Sequence, residues 1–454
     1  MTNGAITDLK KLTKLYDDAH LLSHVSRKVS SENELMAVMK KTGGKRPMIF
    51  HHVDDYAAPV VTGLGGTRDL LASSMGIRAG MLRQHLAHAI THPLAPHVVT
   101  QAPCQQRCIT APFSLDSYFP VLRHYEKDNG RFLISGMLTA KSDDGSKTYT
   151  SIRRMWYMGA NKTTLLITSR EMQQQLARHE QTHTPMEIAL VFGLVPGVVL
   201  GSQISTHLYN ADKLAVTGAL LGKPLDVVPC KTVKLEVPAD AQVVLEGKCF
   251  PWIKQTEGPF GEMAYYYGKI AELPVCEFSC MTMQESPVWQ TFFPSGQEEK
   301  IPMAISREVN LFDTVRMTVP GVREVYLTPG GAGRYIAFIQ LHKESEGDGR
   351  QAALAAFASD KDLKYAVAVD EDVNIFDPDE REWALSTRVQ AAHDVFVVPQ
   401  CMGSPLEASH NLRGVTDKVG IDATKPLGNE KFERTRVIGE EKIDLAAYLD
   451  AKKG

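Results

Sequence analysis

The sequence predicts a mixed fold, α/β at both ends with a β-rich centre, and three observations carry that prediction. The length, 454 residues, exceeds what one hydrophobic core usually organises. The local texture changes twice, from helix–strand alternation to strand-like runs cut by Gly, Asp and Pro, then back again. The composition, 43% hydrophobic and 23% charged, is that of a folded chain without long disorder. We therefore divide the chain into residues 1–110 (α/β), 111–305 (a barrel-like β domain with helical insertions) and 306–454 (α/β).

In the first part, Leu9, Leu12, Leu15, Leu21, Leu22 and Val25 recur at helical spacing, so residues 5–40 read as helix. Strand-like runs follow at 47–51 and 59–62, then the turn Gly63-Leu64-Gly65-Gly66 and a helix from Thr67. The centre offers strands at 131–141, 148–158, 164–168, 231–246, 274–283 and 288–293. Helices interrupt it at 170–181 and after Pro196. In the last part, strands are expected at 325–328, 335–342, 365–369 and 394–399, with helices at 351–358 and 379–388. A polar tail ends the chain.

Charge and composition exclude several classes. Lys+Arg 50 against Asp+Glu 53 leaves a net charge of −3, with no basic excess to hold nucleic acid. The start, MTNGAITDLKKL, has no apolar signal-like core. The longest apolar run, Ile188–Gly201, contains Pro196 and three glycines and is shorter than the ~20 residues a bilayer demands. Seven cysteines, an odd number in a long chain, point to a reduced, cytoplasmic protein.

Five motifs bear on chemistry. His179-Glu180-Gln181-Thr182-His183 matches the zinc pattern H-E-x-x-H. Pro185 follows too closely for the helix to continue, however, and no Glu lies between Glu187 and Glu236 as a third ligand. Cys104/Cys108 and Cys276/Cys280 have neither redox nor zinc spacing and read as packed thiols. Gly330-Gly331-Ala332-Gly333-Arg334 precedes a strand rather than a helix, so it reads as a turn and not a phosphate loop. Glu257-Gly258-Pro259-Phe260-Gly261-Glu262 is more telling, because its turn can bring two carboxyls to one rim. In an apolar wall both cannot ionise cheaply, and one is then free to act as an acid; a solvated acidic loop is the alternative. Arg153 and Arg154, in Ser151-Ile152-Arg153-Arg154, would point to opposite faces of a strand. A guanidinium in a pocket calls for an anion; a surface pair on an edge strand is the alternative.

Together, Val244-Leu245-Glu246-Gly247 and the Glu-Gly-Pro-Phe-Gly-Glu segment resemble the signature of UbiD-type decarboxylases. Ser151–Arg154, Phe192-Gly193-Leu194-Val195-Pro196, Gly218-Ala219-Leu220 and Val369-Asp370-Glu371-Asp372-Val373 agree in order, as do Trp383–Arg388 and Gly420–Pro426. The resemblance spans nearly the whole chain. It implies a central split-barrel domain that binds prenylated FMN, flanked by α/β domains, the last used in dimerisation. It also implies non-oxidative, possibly reversible, decarboxylation of an aromatic or α,β-unsaturated acid. In that role Arg154 would hold the substrate carboxylate and pair with Glu257, while Glu262 would deliver the proton. A flavin prenyltransferase would supply the cofactor. Homodimers are the family habit, and hexamers can be built from them.

The family holds a divalent ion (Mn), with K, at the cofactor phosphate through Asn, His and Glu. The matching positions here are Tyr149, Glu171 and Lys213, with Asp212 a competitor for the last. Of the three matched residues only Glu171 is an ordinary metal ligand. We expect Lys213 and Arg170 to supply the missing positive charge, with Glu171 pairing with Lys213. Ser151, Ile152, Arg153 and Lys364 complete the set of cofactor contacts that the resemblance implies. The alternative is a UbiD-like protein with a decayed cofactor site, serving as a subunit or scaffold. Val397 is expected either to line the substrate pocket or to lie in the core.

Overall fold

The structure, a computed structural model, describes residues 5–448 apart from 33, 206–208, 210, 411–413, 445 and 446. Its largest sheet has nine strands and forms the centre. Along the main path the order is Phe132–Leu133, Met155–Gly159, Lys162–Thr164, Ala271–Met283, Val243–Glu257, Met186–Phe192, Met137–Lys141 and Thr148–Ile152. Arg107–Thr110 adds to Ala271–Met283 beside that path.

One connection reveals the shape of this sheet. Thr148–Ile152 lies at one end of the order and Met155–Gly159 next to the other end, yet only Arg153 and Arg154 separate them. A residue spans at most ~3.6 Å of extended chain, so the sheet must curl until its ends nearly meet. It is a split barrel, with the two arginines bridging the seam. The run expected as one strand over 148–158 is therefore two, broken at the seam.

The barrel is filled by the apolar faces of its strands, among them Leu138, Met155, Ile188, Leu190, Phe192, Val243, Leu245 and Met281. A four-stranded N-terminal sheet joins Ser23–Val25, Met48–Phe50, Val60–Thr62 and Trp289–Gln290. The last strand comes from the central part of the sequence, so these two parts are interleaved. Leu21, Leu22 and Val25, expected in a long helix, lie beyond helix Leu9–Asp18, and Val25 is in a strand. The C-terminal sheet runs Val322–Leu327, Ile336–Leu341, Tyr365–Asp370, Val415–Ala423 and Val395–Met402, its three middle strands parallel. Helix Asp348–Ser359 packs on it through Ala352, Ala353, Ala355 and Ala356, small side chains that allow close approach. Val397 is 57% exposed on the edge strand, so the core alternative for it is set aside.

Helix Gln297–Thr318 joins the parts, and the expected boundary at 305/306 falls within it. Glu298 accepts hydrogen bonds from the amides of Gly63 (2.6 Å) and Gly65 (3.3 Å) in the N-terminal turn. Ten residues on, Glu308 pairs with Arg68 (2.5 Å) and accepts from the Leu327 amide (2.8 Å) of the C-terminal sheet. The glycine-rich stretch at 330–334 is a turn: Gly331 N–H donates to Thr328 Oγ1 and Tyr335 N–H to the Gly331 carbonyl. Among the described residues no helix is long and apolar enough to cross a membrane.

Candidate active site

The seam places Arg154 opposite the acidic hairpin. Glu257 is the last residue of the long strand Val243–Glu257, and the chain then turns through Gly258 at φ +105°, which only glycine adopts without strain. Gly261 is required for a different reason, since a Cβ there would lie 2.1 Å from the Tyr125 ring. Its amide donates to Asp128 Oδ1 (2.9 Å), which anchors the tip of the hairpin. Ser295 Oγ donates to the Glu262 carbonyl (2.7 Å) and fixes the far side.

Both acids converge on one guanidinium. Arg154 Nε lies 3.3 Å from Glu257 Oε1, and Nη1 pairs with Glu262 Oε1. The guanidinium carbon sits 4.9 Å from the centre of the Phe260 ring, so an aromatic face covers the cation. Glu257 is fully buried and accepts a hydrogen bond from Thr164 Oγ1. Burial raises its pKa; Arg154 and Thr164 pull the other way without cancelling the effect. Glu262 keeps more exposure, 17% of its side chain. The turn thus does bring two carboxyls to one rim.

Two neighbours escaped the sequence reading. His124 is buried against the edge of Phe260 with neither ring nitrogen hydrogen-bonded, and burial lowers its pKa to about 3, so the ring is neutral. Glu299 accepts from the Ser295 amide (3.0 Å), and burial, then the nearby Glu262 charge, raise its pKa. Neither lies in a motif; only the fold brings them near the hairpin.

Arg153 turns away from Arg154, although no strand imposes the alternation. Its Nε donates to Ser151 Oγ (2.9 Å) and its Nη1 to Thr168 Oγ1 (3.0 Å). No carboxylate pairs with it among the described residues, and burial lowers it to about 10. Lys213 is close by. Its ammonium donates to the carbonyls of Thr150 (2.7 Å) and Ser202 (2.8 Å). Burial, then repulsion from Arg153, lowers it to about 7, against the attraction of Glu171. Two half-buried cations close together, with only neutral hydrogen-bond partners, suit a bound dianion.

The other expected contacts separate. Asp212 caps helix Lys213–Leu220, accepting from the Ala215 amide (2.9 Å), which leaves Lys213 as the site residue. Glu171 forms its ion pair with Lys147 (3.7 Å) and not with Lys213, so the expected Glu171–Lys213 pair is corrected. The reason is that Lys213 is already held by two backbone carbonyls. Tyr149 and Ile152 are half-buried on the strand that ends at the seam, and Arg170 is exposed at the start of helix Arg170–Thr182. Lys364 contacts Glu407 (3.2 Å) and Ser409 in the C-terminal part.

No group of three His, Cys, Asp or Glu among the described residues could hold a metal ion, and Tyr149, Glu171 and Lys213 do not fit one. His179 pairs with Asp143 (3.0 Å), whereas His183 leaves the helix at φ +54° and stacks on Trp252. The two imidazoles of that motif thus have separate partners. Cys276 and Cys280 are buried, and Cys280 Sγ lies 3.4 Å from that of Cys108.

A split barrel with an arginine and two glutamates at its seam defines a class of carboxy-lyase, and three family models match in sequence order. They are the N-terminal domain (14–90), Rift-related domain (97–297) and C-terminal domain (300–423) of 3-octaprenyl-4-hydroxybenzoate carboxy-lyase. The chain belongs to the UbiD family of decarboxylases. It is 31% identical to anhydromevalonate phosphate decarboxylase of Methanothermobacter thermautotrophicus, over 90% of this chain and 96% of that one. It is 27% identical to gallate decarboxylase of Lactiplantibacillus plantarum, over 97% and 99%. Among solved structures, the UbiD-class enzyme HmfF from Pelotomaculum thermopropionicum, in complex with FMN, superposes with a TM-score of 0.93 at 39% identity. The match covers 97% of this chain and all of that one.

Proposed function

We propose that the protein decarboxylates an aromatic or α,β-unsaturated carboxylic acid without net oxidation, using prenylated FMN. The observation that carries this reading is the Arg154 guanidinium held between Glu257 and Glu262 at the seam. Arg153 and Lys213 would hold the flavin phosphate, with Ser151, Tyr149, Ile152 and Arg170 on the same wall. Lysine takes the place of a metal ion there, and no step requires one. Lys364 is the remaining cofactor contact in this reading, and it lies in the C-terminal part, paired with Glu407 (3.2 Å).

Bound at this wall, prenylated FMN supplies an electron sink for the pair left when the carboxyl carbon departs. The chain's own residues do the rest. Arg154 has donors to spare and binds the substrate carboxylate, which competes with Glu262 for the guanidinium and releases the Glu262 side chain. Buried Glu257 and the Phe260 face keep Arg154 in place. The substrate carboxylate leaves as neutral carbon dioxide; Glu262, freed from Arg154 and still 17% exposed, takes up a proton from solvent and delivers it to the vacated carbon, a contribution of typically ~10²–10⁴-fold.

The alternative of a scaffold with a decayed cofactor site is disfavoured by Arg153 and Lys213, two half-buried cations held close together that repel each other unless an anion is bound. Co-expression with a flavin prenyltransferase tests the reading. The purified protein should carry a flavin absorbance and release carbon dioxide from a member of a panel of aromatic and acrylic acids. A colourless product without bound flavin would overturn it.

A further inference from the structure

Two thiols outside the reacting site meet at an edge of the barrel sheet. Strand Arg107–Thr110 pairs with Ala271–Met283 and, among the described residues, with no other strand. In their register Cys108 faces Thr282 and Cys280 faces Thr110, so the two cysteines lie on a diagonal and share one face of the sheet. Their sulfurs are 3.4 Å apart, which is van der Waals contact. Cys108 is exposed, whereas Cys280 is buried. One thiol is thus open to small reagents and touches a second that they cannot reach directly.

The same sheet holds a second pair that differs in this one respect. Cys249 and Cys276 stand directly opposite each other on strands Val243–Glu257 and Ala271–Met283, and both are fully buried. That pair offers no sulfur for a reagent to attack, and burial raises the Cys276 pKa well above the ordinary thiol value. Burial raises Cys280 as well, so any attack at the edge pair begins from Cys108.

We propose that Cys108 and Cys280 form a reversible redox pair whose co-reactant is a low-molecular-weight disulfide. The Cys108 thiolate attacks one sulfur of that disulfide, whose S–S bond breaks and releases a thiolate that takes a proton from solvent. Cys280 gives up its proton to solvent and attacks the Cys108 sulfur, which forms the Cys108–Cys280 bond and expels the second small thiol. Two protein thiols are oxidised, and one disulfide is reduced to two thiols. Diagonal residues of an antiparallel pair have Cα atoms ~7–8 Å apart, beyond the ~4.4–6.8 Å of a relaxed disulfide. Closing the bond therefore draws in the edge strand, which is four residues long and held on one side only. Such a bond is of the labile kind and not a permanent staple. The inference does not depend on the decarboxylase reading and stands or falls without it.

Incubation of the native protein with oxidised glutathione, followed by peptide mapping without reductant in a mass spectrometer, provides the test. The protein should lose two hydrogens, yield a cross-linked peptide that joins Cys108 to Cys280, and return to its starting mass with dithiothreitol. C280A should stop at the first step and carry a glutathionyl group on Cys108, and C108S should form neither product. A native protein left unmodified at Cys108 would overturn the assignment. A glutathione adduct that persists on Cys108 in the native protein would do the same, because Cys280 would then have failed to displace it. Bonding of Cys108 to Cys230, or of Cys249 to Cys276 in place of the edge pair, would also overturn it.

Discussion

Replacing Lys213 by methionine probes whether an amine has taken over the task of a metal ion. In the free protein burial and Arg153 hold this amine at about 7. At pH 8 it is therefore only about one-tenth protonated. A phosphate seated between Arg153 and Lys213 favours the charged form and returns the amine toward its ordinary range. Flavin binding at pH 8, where the phosphate is already a dianion, should then draw in close to one proton. The sign follows from the direction of the shift: a base lowered in the free state takes up a proton when its partner arrives. Affinity should accordingly weaken as pH rises above 7, by about 1.4 kcal/mol per unit until the bound-state pKa is reached. K213M removes one charge-assisted contact, about 1.5–3 kcal/mol, so FMN should bind roughly 10–100-fold more weakly. Calorimetry with FMN in buffers of different ionisation enthalpy measures both quantities. A native protein that takes up no proton at pH 8, or a variant that takes up as many, would refute the reasoning.

Three further outcomes are expected. E262Q should lower turnover by roughly 10²–10⁴-fold while bound-flavin absorbance persists, because the group lost is the proton donor and not a flavin contact. Dialysis of the flavin-loaded enzyme against EDTA should leave its activity and flavin content unchanged, and metal analysis should find no stoichiometric divalent ion. Glu298, whose pKa burial pushes up to about 7 from 4.5, should make stability fall as pH rises through that window. The folded state holds the proton more tightly than the unfolded chain there, and the loss integrates to about 3 kcal/mol. Urea unfolding between pH 4.5 and 7.5 should show this slope in the native protein and lose it in E298Q.

Local chemistry made part of this site legible in the sequence. A Gly-Pro-Phe-Gly turn between two glutamates can be read as a device for bringing acids together, and it does so. The divergence of Arg153 from Arg154 was also foreseeable, but its cause was not. It comes from the barrel seam, which depends on which strands lie at the ends of a nine-stranded order. Helix Gln297–Thr318 was hidden because Glu298, Lys300 and Pro302 suggest an exposed breaker, whereas all three are buried. Strand Val415–Ala423 was missed because its run Val415-Thr416-Asp417-Lys418 mixes charge into a middle strand; Lys418 is buried by donating to the Leu363 carbonyl (2.7 Å). The Glu171–Lys213 pair failed for a similar reason: complementary charge in sequence could not show that the Thr150 and Ser202 carbonyls already claim the amine.

Two neighbouring arginines divide the proposed work of this enzyme between them, Arg153 toward the flavin phosphate and Arg154 toward the departing carboxyl. Consecutive Cα atoms lie only about 3.8 Å apart, and the peptide between them is rigid. A displacement of that peptide therefore moves both side chains. Loading the coenzyme would set the grip on the acid before any acid arrives, giving the enzyme an order of binding written into a single link of its backbone.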